Sequence, residues 1–398
     1  MMENRLETNA PEKLWNASYI FALVVSTFTA FSFYMNQSML AGYLQSDGIG
    51  LTAQLAGVIV GLFSMTSLFC RPFCGVLSDR MNNVKLLMVS NLLMTAGLAG
   101  FAFVKTAPLF FAFRIMNGVG FAIGSTVQMS LATRYIPRQR MGEGIGYMGL
   151  GNILGSAVAP GIGIAIAGAL GMRAMLLISA ALPALACFIL LLMRDDRELS
   201  RGEKVRIRLR DIIEPRAFAY SFSGGVFSFG NGIVNAYIVL FAASRGVESV
   251  ALYFTVYAIG MFIIRPMSGK LMDKKGIRWT VYPGIVITAC SFVLLACSQS
   301  LPMFLAAAVL RAIGQGSAQP SLQAGCINFI GRDRAGVATS TYYLCGDIGQ
   351  GVGPMLGGMV VGAVAGAQGY QLMYLICAGL SLVSLASIAV FFERKHIR

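Results

Sequence analysis

The chain has 398 residues, of which 56% are hydrophobic and only 12% are charged. A soluble globule of this length needs far more polar surface, so the composition excludes one and predicts a protein embedded in a lipid bilayer. The formal net charge of +14 is high enough for a nucleic-acid binder. Such proteins gather Lys and Arg on one soluble face, whereas here they lie in short loops between apolar runs. No nucleic-acid partner is therefore expected.

Twelve apolar segments of about 20 residues or more, the length that crosses a bilayer, follow one another along the chain. The first six are residues 17–44, 53–77, 85–104, 107–133, 142–168 and 172–193. The other six are residues 217–243, 249–272, 280–298, 302–330, 335–364 and 370–392. The sequence predicts an all-α membrane protein with an N-terminal six-helix bundle (1–193), a cytoplasmic linker (194–216) and a C-terminal six-helix bundle (217–398).

The two halves carry the same signature at a fixed spacing. Residues Arg71–Arg80 read RPFCGVLSDR, and residues Arg265–Lys274 read RPMSGKLMDK, 194 positions later. Further matches keep this spacing, among them Gly142 with Gly336. A chain that repeats itself at half its length is built from two like halves, so we expect pseudo-symmetric bundles.

The positions of Lys and Arg predict the orientation in the membrane, because cytoplasmic loops are enriched in both. Most of the 31 Lys and Arg residues lie in the tails, the linker and the loops after even-numbered helices. The alternate loops hold only Lys105, Arg173 and Arg245. Both termini are therefore predicted to be cytoplasmic, with the protein in the inner (plasma) membrane. Four further arginines fall inside predicted helices, which makes them functional candidates: Arg71, Arg114, Arg265 and Arg311.

The sequence G-x-L-x-D-R at residues 75–80 follows the second predicted helix. Together with twelve helices in two halves, it resembles the major facilitator superfamily of secondary transporters. The chain departs from that family's pattern at Asn82 and Asn83, where Gly and Arg are usual. The resemblance covers nearly the whole chain, and it implies the major facilitator fold.

Two further motifs resemble those of the family's drug:proton antiporters. Residues Arg114–Gly120 read R-x-x-N-G-x-G, with Asn117 where the antiporters have Gln. Residues Gly349–Gly358 fit the antiporter pattern G-x-x-x-G-P-x-x-G-G. The resemblance implies a proton-coupled exporter.

Two repeated aspartates are predicted to close the cytoplasmic side. Asp79 and Asp273 follow helices 2 and 8, where each carboxylate can lie against the positive start of a helix from the opposite half. Gly75 and Gly269 would let the helices approach closely. The predicted gate also includes the charged residues of both motif copies, Arg80, Lys274, Arg71 and Arg265. The alternatives are that the loop charges are ordinary surface residues and that the two helix arginines extend to the membrane interface.

Asp347 is the deepest acidic residue, near the middle of its helix, and is the leading candidate for a proton carrier. Low dielectric favours the protonated form of a carboxyl group, which allows proton exchange near neutral pH. The alternative is a static ion pair between Asp347 and Arg311. Arg114 has no acidic partner at its depth, and the resemblance implicates this arginine in proton coupling. With Glu143 at the start of helix 5, the predicted proton-coupling set is Asp347, Arg114, Arg311 and Glu143.

The substrate cavity is predicted mainly on helices 1 and 7, where aromatic rings and amides recur, a combination that suits amphipathic molecules. The alternative is that these side chains face lipid or other helices. Arg114 and Arg311 also suit a substrate carboxylate or phosphate. The predicted cavity residues are Tyr34, Asn36, Gln37, Asn117, Asn231, Asn235 and Tyr237.

The leading hypothesis is a secondary active transporter that exports small amphipathic organic compounds in exchange for protons by alternating access. The alternative is proton-coupled uptake or exchange of an organic anion or sugar. A sensor or scaffold is disfavoured because the chain has no sizeable soluble domain. An enzyme is disfavoured because no catalytic triad, metal-ligand spacing or phosphate loop is present, so no metal or cofactor is expected. The expected partners are a small-molecule substrate, protons and the lipid bilayer, with the protein acting as a monomer.

Overall fold

The computed structural model describes residues 13–37, 39–45, 49–193, 212–364 and 366–395, and within these ranges the chain forms helices without a β-strand. The N-terminal half contains α1 (Ala17–Gln37), α2 (Leu40–Gln45), α3 (Ala53–Arg80), α4 (Asn83–Phe103), α5 (Ala107–Tyr135), α6 (Met141–Met148), α7 (Leu150–Leu170) and α8 (Met172–Leu191). The C-terminal half contains α9 (Phe218–Ser244), α10 (Leu252–Lys275), α11 (Arg278–Cys297), α12 (Leu301–Ile330), α13 (Ala335–Ala363) and α14 (Ala367–Arg394).

These helices correspond to the twelve predicted spans. In the described residues, 11 helices are long and apolar enough to cross a membrane, with α6 and α7 counted as one. The remaining long helix is α13, with 29 residues, whose glycines, Asp347 and Gln350 make it more polar. The first predicted span ends earlier than expected, since α1 stops at Gln37 and short α2 follows. The fifth is interrupted at Gly149, between α6 and α7.

Local sequence explains why the helices start where they do. The side chain of Thr52 accepts a hydrogen bond from the amide of Leu55 at the start of α3. Asn82 accepts one from the amide of Lys85 at the start of α4. Such caps satisfy amide groups that have no partner within the helix. Asn82, a departure from the usual family motif, therefore begins the next helix.

Packing within each half is apolar, and the outer surface is apolar as well. One buried cluster includes Phe101 and Phe110 of the N-terminal half, and another includes Phe241 and Phe304 of the C-terminal half. Large apolar side chains such as Phe188 are exposed on the outside of the bundle. An exposed apolar surface of this extent is the surface that lipid covers in a membrane protein.

Both described chain ends lie on the same side of the bundle, which we call the terminal side; the opposite side is the distal side. The ring of Trp15 lies 4.8 Å from that of Tyr147 in α6, between centroids. Tyr220 at the start of α9 lies 5.5 Å from Phe391 near the end of α14. A third buried cluster contains residues of both halves. The halves meet where α3 packs against α13 and where α10 packs against α6.

Candidate functional site

Asp79, near the end of α3, reaches across to the start of α13. Its Oδ1 accepts a hydrogen bond from the amide of Gly336 at 2.7 Å, and its Oδ2 accepts one from the amide of Val337 at 3.0 Å. The first amides of a helix have no partner within it and carry partial positive charge. The carboxylate therefore joins the N-terminal half to the C-terminal half at this helix start.

Asp273 makes the equivalent contact in the opposite direction, from α10 to the start of α6. Its two carboxylate oxygens accept hydrogen bonds from the amides of Gly142 at 2.8 Å and Glu143 at 2.9 Å. All three residues of this contact are 194 positions from their counterparts in the first contact. The two contacts that the repeat predicts are thus both present on the terminal side.

Glycines let the helix backbones touch at both contacts. A Cβ added to Gly75 would lie 2.9 Å from the carbonyl oxygen of Gly336, closer than real Cβ contacts. A Cβ on Gly269 would overlap the carbonyl oxygen of Gly142. Any side chain at these positions forces the helices apart, so the aspartates reach the helix starts only because glycine is present.

Glu143 lies in the terminal-side contacts, far along the chain and in space from the deeper Asp347. Its buried carboxylate accepts a hydrogen bond from Nε of Arg140 at 2.7 Å. Nζ of Lys270 in the opposite half lies 3.5 Å away. Sequence reasoning missed Lys270, although it stands inside the second motif copy. The predicted gate residues Arg80 and Lys274 are exposed at the ends of α3 and α10.

Glu214 is a second residue that sequence reasoning missed, because it was assigned to the linker. Its buried carboxylate accepts hydrogen bonds from Arg216 at 2.8 Å and Arg334 at 2.5 Å. The hydrogen bond from Arg216 is the main cause that holds the pKa of Glu214 below its usual value; burial opposes it and Arg334 reinforces it. Arg334 is the repeat counterpart of Arg140. Arg140 binds Glu143 and Arg334 binds Glu214, so the two arginines pair with glutamates at different positions of the repeat.

A cavity of about 240 Å³ lies between the two halves. Arg71 lines it from α3, eight residues before Asp79 and so about 12 Å deeper along the helix axis. Arg265 lines it from α10. Its other polar residues come from six helices, α1, α5, α7, α9, α12 and α13, and are Ser26, Thr29, Ser125, Gln128, Asn152, Ser228, Gln319, Gln323, Tyr342 and Tyr343.

Arg71, which lines the cavity, forms an ion pair with Asp347 of α13. Nε and Nη2 of Arg71 donate to the two carboxylate oxygens, the second at 3.2 Å. Nη1 donates to Oγ of Ser125 at 3.0 Å, and the ring of Tyr343 lies 5.0 Å from the guanidinium carbon. Arg71 is 5% exposed and Asp347 is 31% exposed. Arg71 therefore does not extend to the membrane interface, and the alternative pair of Asp347 with Arg311 is wrong.

Arg311 is instead enclosed by residues of its own half. Nη2 donates to Asn231 at 2.5 Å, and Nη1 donates to the hydroxyl of Tyr253 at 3.3 Å. The rings of Tyr257 and Phe292 lie 5.4 and 5.3 Å from its guanidinium carbon. It is 2% exposed, so it packs within the C-terminal half.

Arg114 is enclosed in the same way in the N-terminal half. Nη2 donates to the carbonyl of Val60 at 3.2 Å and to Gln37 at 3.5 Å, and the ring of Phe63 lies 4.6 Å away. It is 1% exposed, and among the described residues it has no acidic partner. Neither Arg114 nor Arg311 lines the central cavity.

The predicted cavity residues of α1 and α9 do not line this cavity either. Asn36 donates to the carbonyl of Ser32 at 2.9 Å within α1. The hydroxyl of Tyr237 donates to the carbonyl of Pro354 at 2.8 Å. Gln37 and Asn231 bind the enclosed arginines, as described above. Tyr34 lies beside Gly155, and Asn117 lies beside Gly97. Asn235 lies on an exposed face of α9.

The model of the Major Facilitator Superfamily matches residues 23–354 and 220–397, which together span most of the chain. The chain belongs to the Major Facilitator Superfamily. It is therefore a multi-pass membrane transporter of small molecules and not an enzyme.

Similar proteins include several exporters. Multidrug resistance protein MdtG of Escherichia coli is 21% identical over 388 residues, which cover 94% of each chain. The staphylopine export protein of Staphylococcus aureus is 22% identical over 357 residues, covering 85% of this chain and 88% of that protein.

Solved structures share the fold at low sequence identity. The human organic anion transporter MFSD10 (TETRAN) has a TM-score of 0.79 at 15% identity, covering 95% of this chain and 100% of that one. The transporter FucP, in its outward conformation, has a TM-score of 0.73 at 15% identity, covering 93% and 99%. Both confirm the predicted all-α architecture.

The first prediction concerns Asp79→Asn and Asp273→Asn, which keep the shape of the side chain and remove its charge. Each loses a carboxylate contact worth about 1–2 kcal/mol at a helix start, so a form open on the terminal side should gain about fivefold or more in population. Spin labels at exposed positions Lys85 and Glu393, one in each half, report the separation. The control is Asp333→Asn, an exposed aspartate on the same side. Equal distances in all three variants would contradict the prediction.

The second prediction concerns Glu214→Gln. A glutamate whose pKa is lowered in the folded state stabilises that state above its unfolded-state pKa of about 4.3, and this contribution is lost as the pH falls through the folded-state value. The Tm of the variant in detergent should therefore be lower than that of the wild type at pH 7. The difference should begin to shrink as the pH falls below about 4.3 and should vanish below the folded-state pKa of Glu214. Exposed Glu248 provides the control, Glu248→Gln, and a pH-independent difference for Glu214→Gln would refute the assignment.

Proposed function

We propose that the protein is a monomeric exporter in the plasma (inner) membrane that exchanges small amphipathic organic compounds for protons by alternating access. In this proposal the terminal side faces the cytoplasm, because Lys and Arg are concentrated in the loops and tails of that side. The names of MdtG and the staphylopine export protein support the outward direction of transport. The cavity and its contacts are built from one chain, which suits a monomer.

The observation that carries proton coupling is the ion pair between Arg71 and Asp347. It joins α3 to α13 at the depth of the cavity, beyond the contact of Asp79 with the same helix. Partial burial strengthens the attraction between the two charges. Asp347 is 31% exposed, so a proton can reach it.

Protonation of Asp347 links the proton to the conformational change. A neutral carboxyl group loses the charge that holds Arg71, so the contact between α3 and α13 weakens and opening of the terminal side becomes easier. The guanidinium of Arg71 faces this carboxyl group, the ring of Tyr343 lies beside the guanidinium, and Ser125 binds Nη1 of Arg71. Among these described neighbours, Arg71 is the group with an opposite charge.

A cycle follows from this link. With the terminal side closed, substrate leaves on the distal side and Asp347 takes up a proton from there. The weakened pair allows the terminal side to open, where Asp347 releases the proton and substrate enters. The pair forms again when the halves close, so one proton moves inward for each substrate moved outward.

The alternative, uptake or exchange of an organic anion or sugar, depended on Arg114 and Arg311 as binding residues. The titles of the MFSD10 and FucP structures name an organic anion transporter and a fucose:proton symporter. However, both arginines are enclosed within separate halves. A site formed by these two residues is therefore disfavoured.

The third prediction tests proton coupling with Asp347→Asn, which keeps the side chain neutral. In liposomes, the wild type should move amphipathic probes across the membrane when a pH gradient is applied. The probes are tetraphenylphosphonium, 1-naphthylacetate and 1-naphthylacetamide. The variant should lose nearly all gradient-driven movement, because an asparagine side chain cannot carry the proton, but retain exchange of labelled for unlabelled probe. Asp333→Asn is the matched control. Gradient-driven movement by Asp347→Asn at the wild-type level would refute the role.

A further inference from the structure

Arg265 is the repeat counterpart of Arg71 and also lines the cavity. Within its own half, each arginine donates a hydrogen bond to a polar side chain at the same repeat position. Nη1 of Arg71 donates to Ser125 at 3.0 Å, and Nη2 of Arg265 donates to Gln319 at 3.5 Å. Ser125 and Gln319 are themselves 194 positions apart. The two arginines are therefore equivalent members of the internal repeat, in position and in partner.

The opposite half breaks this equivalence. Arg71 faces Tyr343 and Asp347 on α13. The positions 194 residues earlier are Gly149 and Ile153, at the junction of α6 and α7. Arg71 therefore contacts an aromatic ring and a carboxylate, whereas the corresponding positions for Arg265 hold a glycine and an aliphatic side chain.

Gly149 explains how Arg265 fits against the other half. A Cβ added at this glycine would overlap Nη1 of Arg265. The guanidinium therefore lies directly on the backbone at the interruption between α6 and α7. Gly149 is at the repeat position of Tyr343, so the guanidinium of Arg265 occupies the space that a side chain there would fill. The repeat position of Asp347 is Ile153, which carries no carboxylate.

Arg265 has no negatively charged partner among the described residues. Its Nε is buried without a hydrogen-bond partner, and its bond to Gln319 is long. The tyrosines that line the same cavity, Tyr342 and Tyr343, are neutral near pH 7 and bring no negative charge. Because Asp347 balances Arg71, the cavity retains one uncompensated positive charge. A cation at this depth is unfavourable until water or a ligand compensates it.

We propose that Arg265 binds a carboxylate of the transported molecule, so that the substrates are amphipathic organic acids. The bound acid takes on Arg265 the place that Asp347 takes on Arg71: Nε has no partner and Nη2 has only a long bond to Gln319, so this edge of the guanidinium can make a two-oxygen contact. Phe121, Met129 and Ile145 line the same cavity and supply apolar surface for the rest of the molecule. This inference rests on the proposed transport function and names the substrate class of that site.

The test compares binding of 1-naphthylacetate with binding of its neutral amide, 1-naphthylacetamide, to purified full-length protein. The wild type should bind the acid about tenfold or more tightly than the amide, the usual effect of a hydrogen bond to a charged group. Arg265→Gln should abolish this preference, and Arg265→Lys should retain part of it.

A second pair of variants tests the missing carboxylate itself. Ile153→Asp supplies the repeat counterpart of Asp347, so it should neutralise Arg265 and abolish the acid preference. Ile153→Asn has the same size without the charge, so it should keep the preference. Equal binding of acid and amide by the wild type, or an acid preference that survives in Arg265→Gln or in Ile153→Asp, would overturn the proposal.

The outcomes separate this inference from proton coupling. An Arg265-dependent acid preference in a protein whose transport ignores a pH gradient supports the binding site and overturns the proton-coupled function. Gradient-driven transport of tetraphenylphosphonium without any acid preference overturns the binding site and leaves proton coupling in place.

Discussion

Hydrogen bonds from backbone amides at helix starts to two carboxylates join the halves on the terminal side of this transporter. Asp79 and Asp273 each bind two amides at the start of a helix in the opposite half, and glycine pairs let the helices touch there. Such contacts are worth about 1–2 kcal/mol when partly buried, and water can replace the hydrogen bonds on opening. The carboxylate contacts are therefore specific in geometry, and each is weak enough to be broken in every cycle.

The central cavity depends on a broken symmetry between two equivalent arginines. The repeat places Arg71 and Arg265 at matching depths in the two halves, each bound to a polar side chain of the neighbouring helix. Only Arg71 meets a carboxylate. One arginine is thus neutralised by the protein and the other is available to a ligand. A gene-duplicated fold gives two like sites, and single differences such as Asp347 against Ile153 give them separate chemistry.

Sequence analysis predicted the helices, the family and the terminal-side contacts, because the repeat and the order of helices determine which ends share a side. It did not predict the partner of Asp347. The expected partner, Arg311, lies on the neighbouring helix, whereas the observed partner, Arg71, lies in the other half. The sequence pattern does not give distances between the two halves. The polar lining was expected mainly on α1 and α9; these helices contribute Ser26, Thr29 and Ser228, but the larger polar side chains come from α5, α7, α12 and α13. These helices carry polar residues and glycine on several faces, so the pattern does not reveal which face the cavity receives.

The two interfaces between the halves also differ in the charges that reinforce them. At α3 and α13 the reinforcing pair is Arg71 with Asp347, deep in the cavity, where a proton can remove the negative charge. At α10 and α6 it is Lys270 with Glu143, at the terminal edge, where water and salt screen it, while deeper in lies the unbalanced Arg265 against Gly149. In the proposed cycle the proton therefore acts on the first interface and the substrate acid on the second.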